Sequence, residues 1–398
     1  MMTRPASVPD SGATEKQRPQ SPGVFLMSDS FETGGSERQF STLAMSLDRS
    51  AFRVSIGCIQ KKGAFLDSLG DVGLCDVPVF PLGGSLYKLE SWKTRARLAR
   101  HLRQNAIDIA HAFDFYTNLT LIPAARWARV PVVIGSQRQL GDLLTRAQFK
   151  AQLLALRLAD AVVCNSRAAA DGLCAAGLPR HKTVVIGNGM PPEVFAPTEP
   201  AIPRVPGVLR VGMIARMNTR SKNHSSLLRA FAQLQKEMPT SELLLAGDGP
   251  FRAELEREAE ELGIAQNVRF LGDRRDVPAV LASLDVSVLP SVSESLSNSI
   301  IESMAQGIPV VAARVGGNVE LISEDRGILV GVGDDNVLAG ALGRLLKDEA
   351  LRKSMGGNAR SFAHENFTIA KMRQQHEDLY LRLLERKISN RRLPGYRR

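Results

Sequence analysis

The feature that most constrains the fold is a regular alternation. From Gly23 onward, short apolar runs alternate with stretches of helical periodicity, and the pattern persists to about Leu345. Continuous apolar runs fit strands buried on both faces, and helical stretches between them fit crossover connections, so doubly wound parallel sheets are predicted. In the first half, strands are expected at Val24–Met27, Arg53–Ile59, Asp76–Phe80, Ile107–His111, Val130–Gly135, Ala161–Cys164 and Thr183–Gly187. The alternation breaks once. Met190 to Pro206 holds six prolines, which can join neither a helix interior nor a central strand, and this marks a linker over 191–207. A second series then follows at Leu209–Ala215, Glu242–Ala246, Val268–Gly272, Val286–Leu289, Ile308–Ala313 and Gly327–Val330.

At 398 residues, two domains are expected. They span 22–190 and 208–366, after a Ser-, Pro- and Gln-rich tail (1–21) that reads as disordered and before a basic tail at 387–398. No apolar run has the length of a signal-peptide core or a membrane span, and the four cysteines show neither C-x-x-C nor metal spacing with the histidines. The expectation is a cytoplasmic protein, either free or peripheral on the inner face of a membrane. The net charge of +10 sits mainly in the first half, with 23 basic against 16 acidic residues up to Pro197. Lys88 to Arg103 alone carries six basic residues, flanking an apolar stripe of Leu89, Trp92, Ala96, Ala99 and Leu102. Such a helix either lays its stripe in the core or docks on an anionic membrane surface. Nucleic acid is not an expected partner, because no aromatic-interleaved basic motif accompanies the charge.

In open α/β sheets, ligands bind beyond the carboxyl ends of the strands. Polar clusters fall there throughout this sequence. Arg216 and Lys222 follow the first strand of the second half; a planar fork of donors and a mobile point charge suit a diphosphate, and a solvated basic loop is the alternative. Glu294 and Glu302 stand eight positions apart in LPSVSESLSNSIIESMAQGIPVVAARVGG. On one helix they would lie about 12 Å apart along the axis and about 80° around it, too far to share a proton or a metal. They suit two ends of an extended ligand. Ser299-x-x-Glu302 also has the form of a capping box, and the amides around Ser297, Asn298 and Ser299 could receive a phosphate. Gly34-Gly35 opens the first helix, either as a left-handed turn or to let backbone approach a ligand, and Ser36-x-x-Gln39 reads as its capping box. His111 and Asp114 end a strand; the first reads as a packed histidine or an acceptor-side residue, the second as a helix cap or the same. There is no D-x-D, so metal ligation is not expected.

Taken together, these residues resemble family 4 of the retaining glycosyltransferases, with the GT-B fold of two facing Rossmann-like domains. The resemblance runs from about Gly23 to Glu385. It is carried by GGSERQF, NGMPPEVF, ARMNTRSKNH, LLLAGDGP and NVRFLG, then by the Glu294/Glu302 element with its trailing PVVAARVGGNVELI. It implies a nucleotide-diphosphate sugar bound by the second domain. Arg216 and Lys222 would hold the diphosphate, Glu294 the sugar and Glu302 the ribose, with main chain around Arg269 framing the base and Gly34-Gly35 facing the phosphates. The implied transfer of a hexosyl or N-acetylhexosaminyl group needs no cofactor or metal and retains configuration, with the leaving diphosphate taking the acceptor proton. A C-terminal helix (367–386) would cross back onto the first domain. Two positions depart from the pattern. Ser295 stands where many relatives have Gly, and Ser136-Gln137-Arg138 replaces a segment that carries His in several. Arg138 could meet an anionic acceptor, and a glycan or lipid-linked precursor is the expected acceptor class. The alternatives are a GT-B epimerase or phosphorylase and a non-catalytic nucleotide-sugar-binding protein. No segment resembles a pyridoxal-phosphate lysine site.

Overall fold

A computed structural model describes residues 21–82, 89–142 and 144–391. Most of the two terminal tails and Lys88 lie outside the described residues. The first sheet contains β1 (Gly23–Ser28), β2 (Arg53–Cys58), β3 (Ile107–Ala112), β4 (Val132–Gln137), β5 (Ala161–Cys164) and β6 (Thr183–Val185), ordered β2-β1-β3-β4-β5-β6. The second contains β7 (Arg210–Ile214), β8 (Glu242–Ala246), β9 (Val268–Gly272), β10 (Val286–Leu289), β11 (Val310–Ala313) and β12 (Gly327–Val330), ordered β12-β11-β10-β7-β8-β9. All pairings between named strands are parallel. Strands such as β1 and β11 are buried along their whole length, as continuous apolar runs require when helices cover both faces.

The expected strand at Asp76–Phe80 does not form. Val79 makes an isolated bridge to Cys58, and Pro78 can only accept, its carbonyl taking the Cys58 N–H at 3.1 Å. Prolines 78 and 81 leave too few donors for a ladder at this sheet edge. The expected capping box at Ser36/Gln39 is also absent. The helix Gly35–Ser46 is capped by Gly34 with no side-chain bond, because the Gln39 amide is used elsewhere, exchanging two hydrogen bonds with the main chain of Gly189 at 2.7 and 3.0 Å.

Apolar clusters cover both faces of the first sheet. One is packed by the helices Leu89–Gln104, Phe115–Trp127 and Arg146–Leu158; the other, by the helix Gly35–Ser46 and the long C-terminal helix Ile369–Arg391. This last helix therefore returns to the first domain. Met372, Leu379, Tyr380 and Leu383 fill its seat, with Tyr380 fully buried. The two chain crossings lie side by side: Met190 donates to the Phe367 carbonyl at 2.7 Å and bridges Thr368. Between them the Pro-rich segment packs Val194, Phe195 and Ile202 onto the second domain.

Candidate functional site

Each sheet reverses its strand order, and the loops at those reversals meet. In the second sheet the reversal lies between β7 and β10, which pair through Val286–Val211 and Ser287–Gly212. The loop after β7 carries Arg216 and Lys222, and the loop after β10 carries Glu294. Adjacent parallel strands bring these groups together although more than 70 residues separate Lys222 from Glu294: the lysine ammonium donates to the Glu294 carboxylate, a pair with the glutamate side chain only 10% exposed. Two close approaches fix these loops. Gly247 and Gly249, at φ +130° and +152°, pass so near the main chain of Ala215 and Met217 that a Cβ on either would overlap it. Gly316 and Gly317 lie against the carbonyls of Glu294 and Ser295 in the same way, and Gly317 donates to the Glu294 carbonyl at 3.1 Å.

The helix Asn298–Ala305 follows directly. Its cap is Ser297, whose hydroxyl accepts from Ile300, so the Ser299/Glu302 capping box is not formed. Glu302 instead turns across the cleft. Its buried carboxylate accepts from Arg38 at 2.6 Å, and burial raises its pKa against the opposing pull of that guanidinium. Glu294, by contrast, stands in the preceding loop, so the two carboxylates do not share a helix.

The first domain supplies the facing wall. Arg216 donates to the hydroxyl of Thr33 at 2.8 Å and to its carbonyl. Gly34 and Gly35 adopt ordinary backbone angles rather than a left-handed turn. The Glu37 carboxylate folds over Gly34, where a Cβ would displace it, and a Cβ on Gly35 would stand 3.4 Å from the Asn298 amide. Burial raises the Glu37 pKa, with Arg216 opposing. Arg138 lies over the Phe113 ring at 5.0 Å and donates to Asn188 at 2.5 Å, and Asn188 passes the chain on to Asn298 at 2.6 Å. The Arg138 Nε is buried without a partner, and burial lowers this guanidinium to about 10. Ser295 donates to Asn165 at 2.5 Å, and Glu320 accepts from the amides of Arg167 and Ala168, both at 2.9 Å, capping a helix of the opposite domain.

Other expected site residues take no part in these cross-cleft bonds. His111 is fully buried, bonded to Tyr380 at 2.8 Å and Ser136 at 2.9 Å, and tied by ring contact to His376. Asp114 caps the helix Phe115–Trp127 through the Thr117 amide and accepts from Asp29 at 2.7 Å; burial lifts its pKa to about 7. The Arg269 side chain is exposed on the edge strand β9, while the carboxyl end of that strand, Gly272, accepts from Gly247 at 2.8 Å beside the Arg216 loop. A cavity of about 340 Å³ lined by Thr219, Asn223 and Phe251 lies behind the Arg216–Lys222 loop; the convergence of charged groups, not this volume, locates the site.

Thr33, Arg38, Asn188 and Glu320 were not among the expected site residues, whereas Asn165 lies in one of the polar clusters expected at strand ends. Arg38, Asn188 and Glu320 do sit within the segments GGSERQF, NGMPPEVF and PVVAARVGGNVELI, which is the one signal that pointed near them.

This pairing of two reversed sheets across a polar cleft matches known proteins. Residues 33–194 match the family described as Glycosyltransferase Family 4, and residues 208–348 match Glycosyl transferases group 1. The lipopolysaccharide core biosynthesis glycosyltransferase LpsE of Rhizobium meliloti is 31% identical over 63% of this chain and 69% of its own. The chain belongs to glycosyltransferase family 4. This glycosyltransferase is also 26% identical, over 86% of its length and 92% of the relative, to the UDP-Gal:alpha-D-GlcNAc-diphosphoundecaprenol alpha-1,3-galactosyltransferase of Escherichia coli. A stronger but shorter match, 37% over 41% of the chain, covers only 43% of the N-acetyl-alpha-D-glucosaminyl L-malate synthase of Bacillus anthracis. Among solved structures, Anabaena HepE in complex with UDP-glucose superposes with a TM-score of 0.78 at 23% identity, over 90% of this glycosyltransferase and 98% of HepE. The GT-B fold is common to both.

Proposed function

We propose that the enzyme transfers a hexosyl or N-acetylhexosaminyl group from a nucleotide-diphosphate sugar to a membrane-associated glycan or lipid-linked acceptor, with retention and without a metal. The observation that carries this reading is the convergence of Arg216, Lys222, Glu294 and Glu302 at the strand-order reversal, opposite the Gly34-Gly35 loop. The diphosphate takes Arg216 and Lys222 from their present partners, Thr33 and Glu294. Release from Lys222 leaves the Glu294 carboxylate to accept from sugar hydroxyls. The ribose hydroxyls donate to Glu302. Main-chain amides around Gly35 and at Ser297–Ser299 add donors to the phosphates. As the glycosidic bond breaks, charge grows on the diphosphate; the two cations stabilise it, and its oxygen takes the acceptor proton. HepE, crystallised with UDP-glucose, supports a uridine donor, and the diphosphoundecaprenol-linked acceptor named for the Escherichia coli relative supports a lipid-linked one. Arg138, cationic beside the cleft and with one N–H unpartnered, suits an anionic group on that acceptor.

A thermal-shift panel of UDP-, GDP- and ADP-sugars tests the donor site. One nucleotide should raise the melting temperature of the wild type and not of Arg216→Ala or Glu294→Ala. No shift with any nucleotide overturns the reading. Activity surviving EDTA, with an α-linked product from an α-linked donor, tests metal independence and retention.

A further inference from the structure

One face of the first domain carries chemistry that the cleft does not use. The helices Leu89–Gln104, Phe115–Trp127 and Arg146–Leu158 lie side by side over one side of the first sheet, opposite the side that seats the C-terminal helix. Their inward positions, among them Leu98, Ile122 and Leu156, are fully buried. Their outward positions are not uniformly polar. Both tryptophans of the chain stand on this face, Trp92 at 58% exposure and Trp127 at 54%, and with them Leu89 at 69%, Tyr116 at 46%, Leu154 at 61% and Leu158 at 50%. The expected stripe of the first helix is therefore split. Ala99 and Leu102 face the core, while Leu89 and Trp92 face outward. Six large apolar groups left exposed on three neighbouring helices mark a contact face.

The charge of the face selects its partner. The three helices contain five, one and three basic residues, nine in all, against one acidic residue, Glu90. Arg126 is held by Asp160 at 3.0 Å, whereas Lys93, Arg100 and Lys150 have no carboxylate within ion-pairing distance among the described residues. The face is thus apolar and cationic together. A second copy offering the same face would oppose cation to cation. An anionic bilayer surface answers both properties: tryptophan and tyrosine settle at the headgroup level, and each lysine or arginine gains from the negative surface potential. No helix among the described residues is long and apolar enough to cross a membrane, so such contact would be interfacial.

The geometry points to these three helices as a docking face for an anionic lipid surface. Each helix runs back antiparallel to the strands, so its first turn lies at the carboxyl end of the sheet, where the cleft opens. Leu89, Trp92 and Tyr116 occupy those first turns, and the docked face brings the mouth of the cleft down to the headgroups. The inference takes its purpose from the lipid-linked acceptor proposed above, but none of its observations.

Flotation of the full chain with phosphatidylcholine vesicles, with and without phosphatidylglycerol, tests it. The wild type should float with the anionic vesicles and not with the neutral ones. Trp92→Ala with Trp127→Ala, and separately Lys93→Glu, Arg100→Glu and Lys150→Glu together, should each lower partitioning by at least about tenfold. Melting temperature and nucleotide-sugar stabilisation in the absence of vesicles should not change in either variant. Equal recovery with neutral and anionic vesicles overturns the inference. So does full flotation of the tryptophan variant, which would leave a charge-only surface suited to any polyanion, or a dimer seen by light scattering that the tryptophan variant abolishes. Failed flotation with donor stabilisation intact removes the docking face alone; failed donor stabilisation removes the proposed activity alone.

Discussion

Replacing Gly317 with alanine tests how tightly the Glu294 loop is held. An ideal Cβ at this position lies 1.8 Å from the Ser295 carbonyl oxygen and 3.2 Å from Cβ of Ser166 on the opposite domain. Ordinary contact begins at 3.4 Å, so the loop or the turn must yield by about 1.6 Å. The obstructing atom is main chain, and no side-chain rotation relieves it. The backbone of Gly317 is itself unexceptional, with φ −73°, so the effect is steric rather than conformational. Forced overpacking of this kind costs about 1–3 kcal/mol. The larger consequence falls on Glu294, whose carbonyl holds the Gly317 amide and whose side chain meets Lys222. A displacement of about 1 Å at a substrate-positioning group can cost about a hundredfold in rate. Gly317→Ala should therefore lose about two orders of magnitude in nucleotide-sugar turnover, with a modest fall in melting temperature. Gly331→Ala, where a Cβ meets nothing within 4 Å, is the matched control and should behave as wild type. Wild-type turnover in Gly317→Ala would refute the reasoning.

Three further expectations follow from contacts across or beside the cleft. Arg38→Met strands the Glu302 carboxylate; because the Arg38 side chain is 39% exposed, the expected loss is about 1–2 kcal/mol, read as an earlier first transition in thermal unfolding and a larger radius of gyration in solution scattering. Ser295→Ala removes the donor to Asn165, leaving its buried oxygen short of a partner at a cost of about 1–3 kcal/mol, visible in the same melts. His376 is buried, and burial lowers its pKa to about 4. The contribution of a neutral His376 to stability is complete above about pH 6.5, is lost as the pH falls toward about 4, and amounts to about 3 kcal/mol. Denaturant titrations across that range should show the loss; His376→Leu should reduce it by about that amount, while His111 and His224, whose pKa values burial also lowers, sustain the remainder.

The second sheet was legible residue by residue because its strands are short apolar runs with no competing signal; β8, β9, β10 and β12 fall on their expected ranges. Asp76–Phe80 misled because its alternating side chains fit a strand while its prolines do not. At the site, Arg216, Lys222 and Glu294 could be placed at strand ends from periodicity alone, since strand order brings such ends together. The cross-cleft partners could not. Arg38 meets Glu302 across 264 positions and Arg167 meets Glu320 across 153. Those separations depend on how two finished sheets dock, which no local period encodes. The same docking explains why Glu302, which has the form of a cap, does not act as one: Ser297 already holds that role, and the cation that Glu302 meets, Arg38, is on the other domain.

The returning helix bears on how the protein is made. The groove that seats Met372, Leu379 and Tyr380 is built from residues between Val24 and Ile186, translated well before the helix that fills it. At elongation rates of about 5–20 residues per second, the nascent first domain waits ten seconds or more with that apolar groove and the His111 side chain uncovered. The second domain, whose core needs nothing beyond Phe367, can close before the first is complete. The domain translated first is the one finished last.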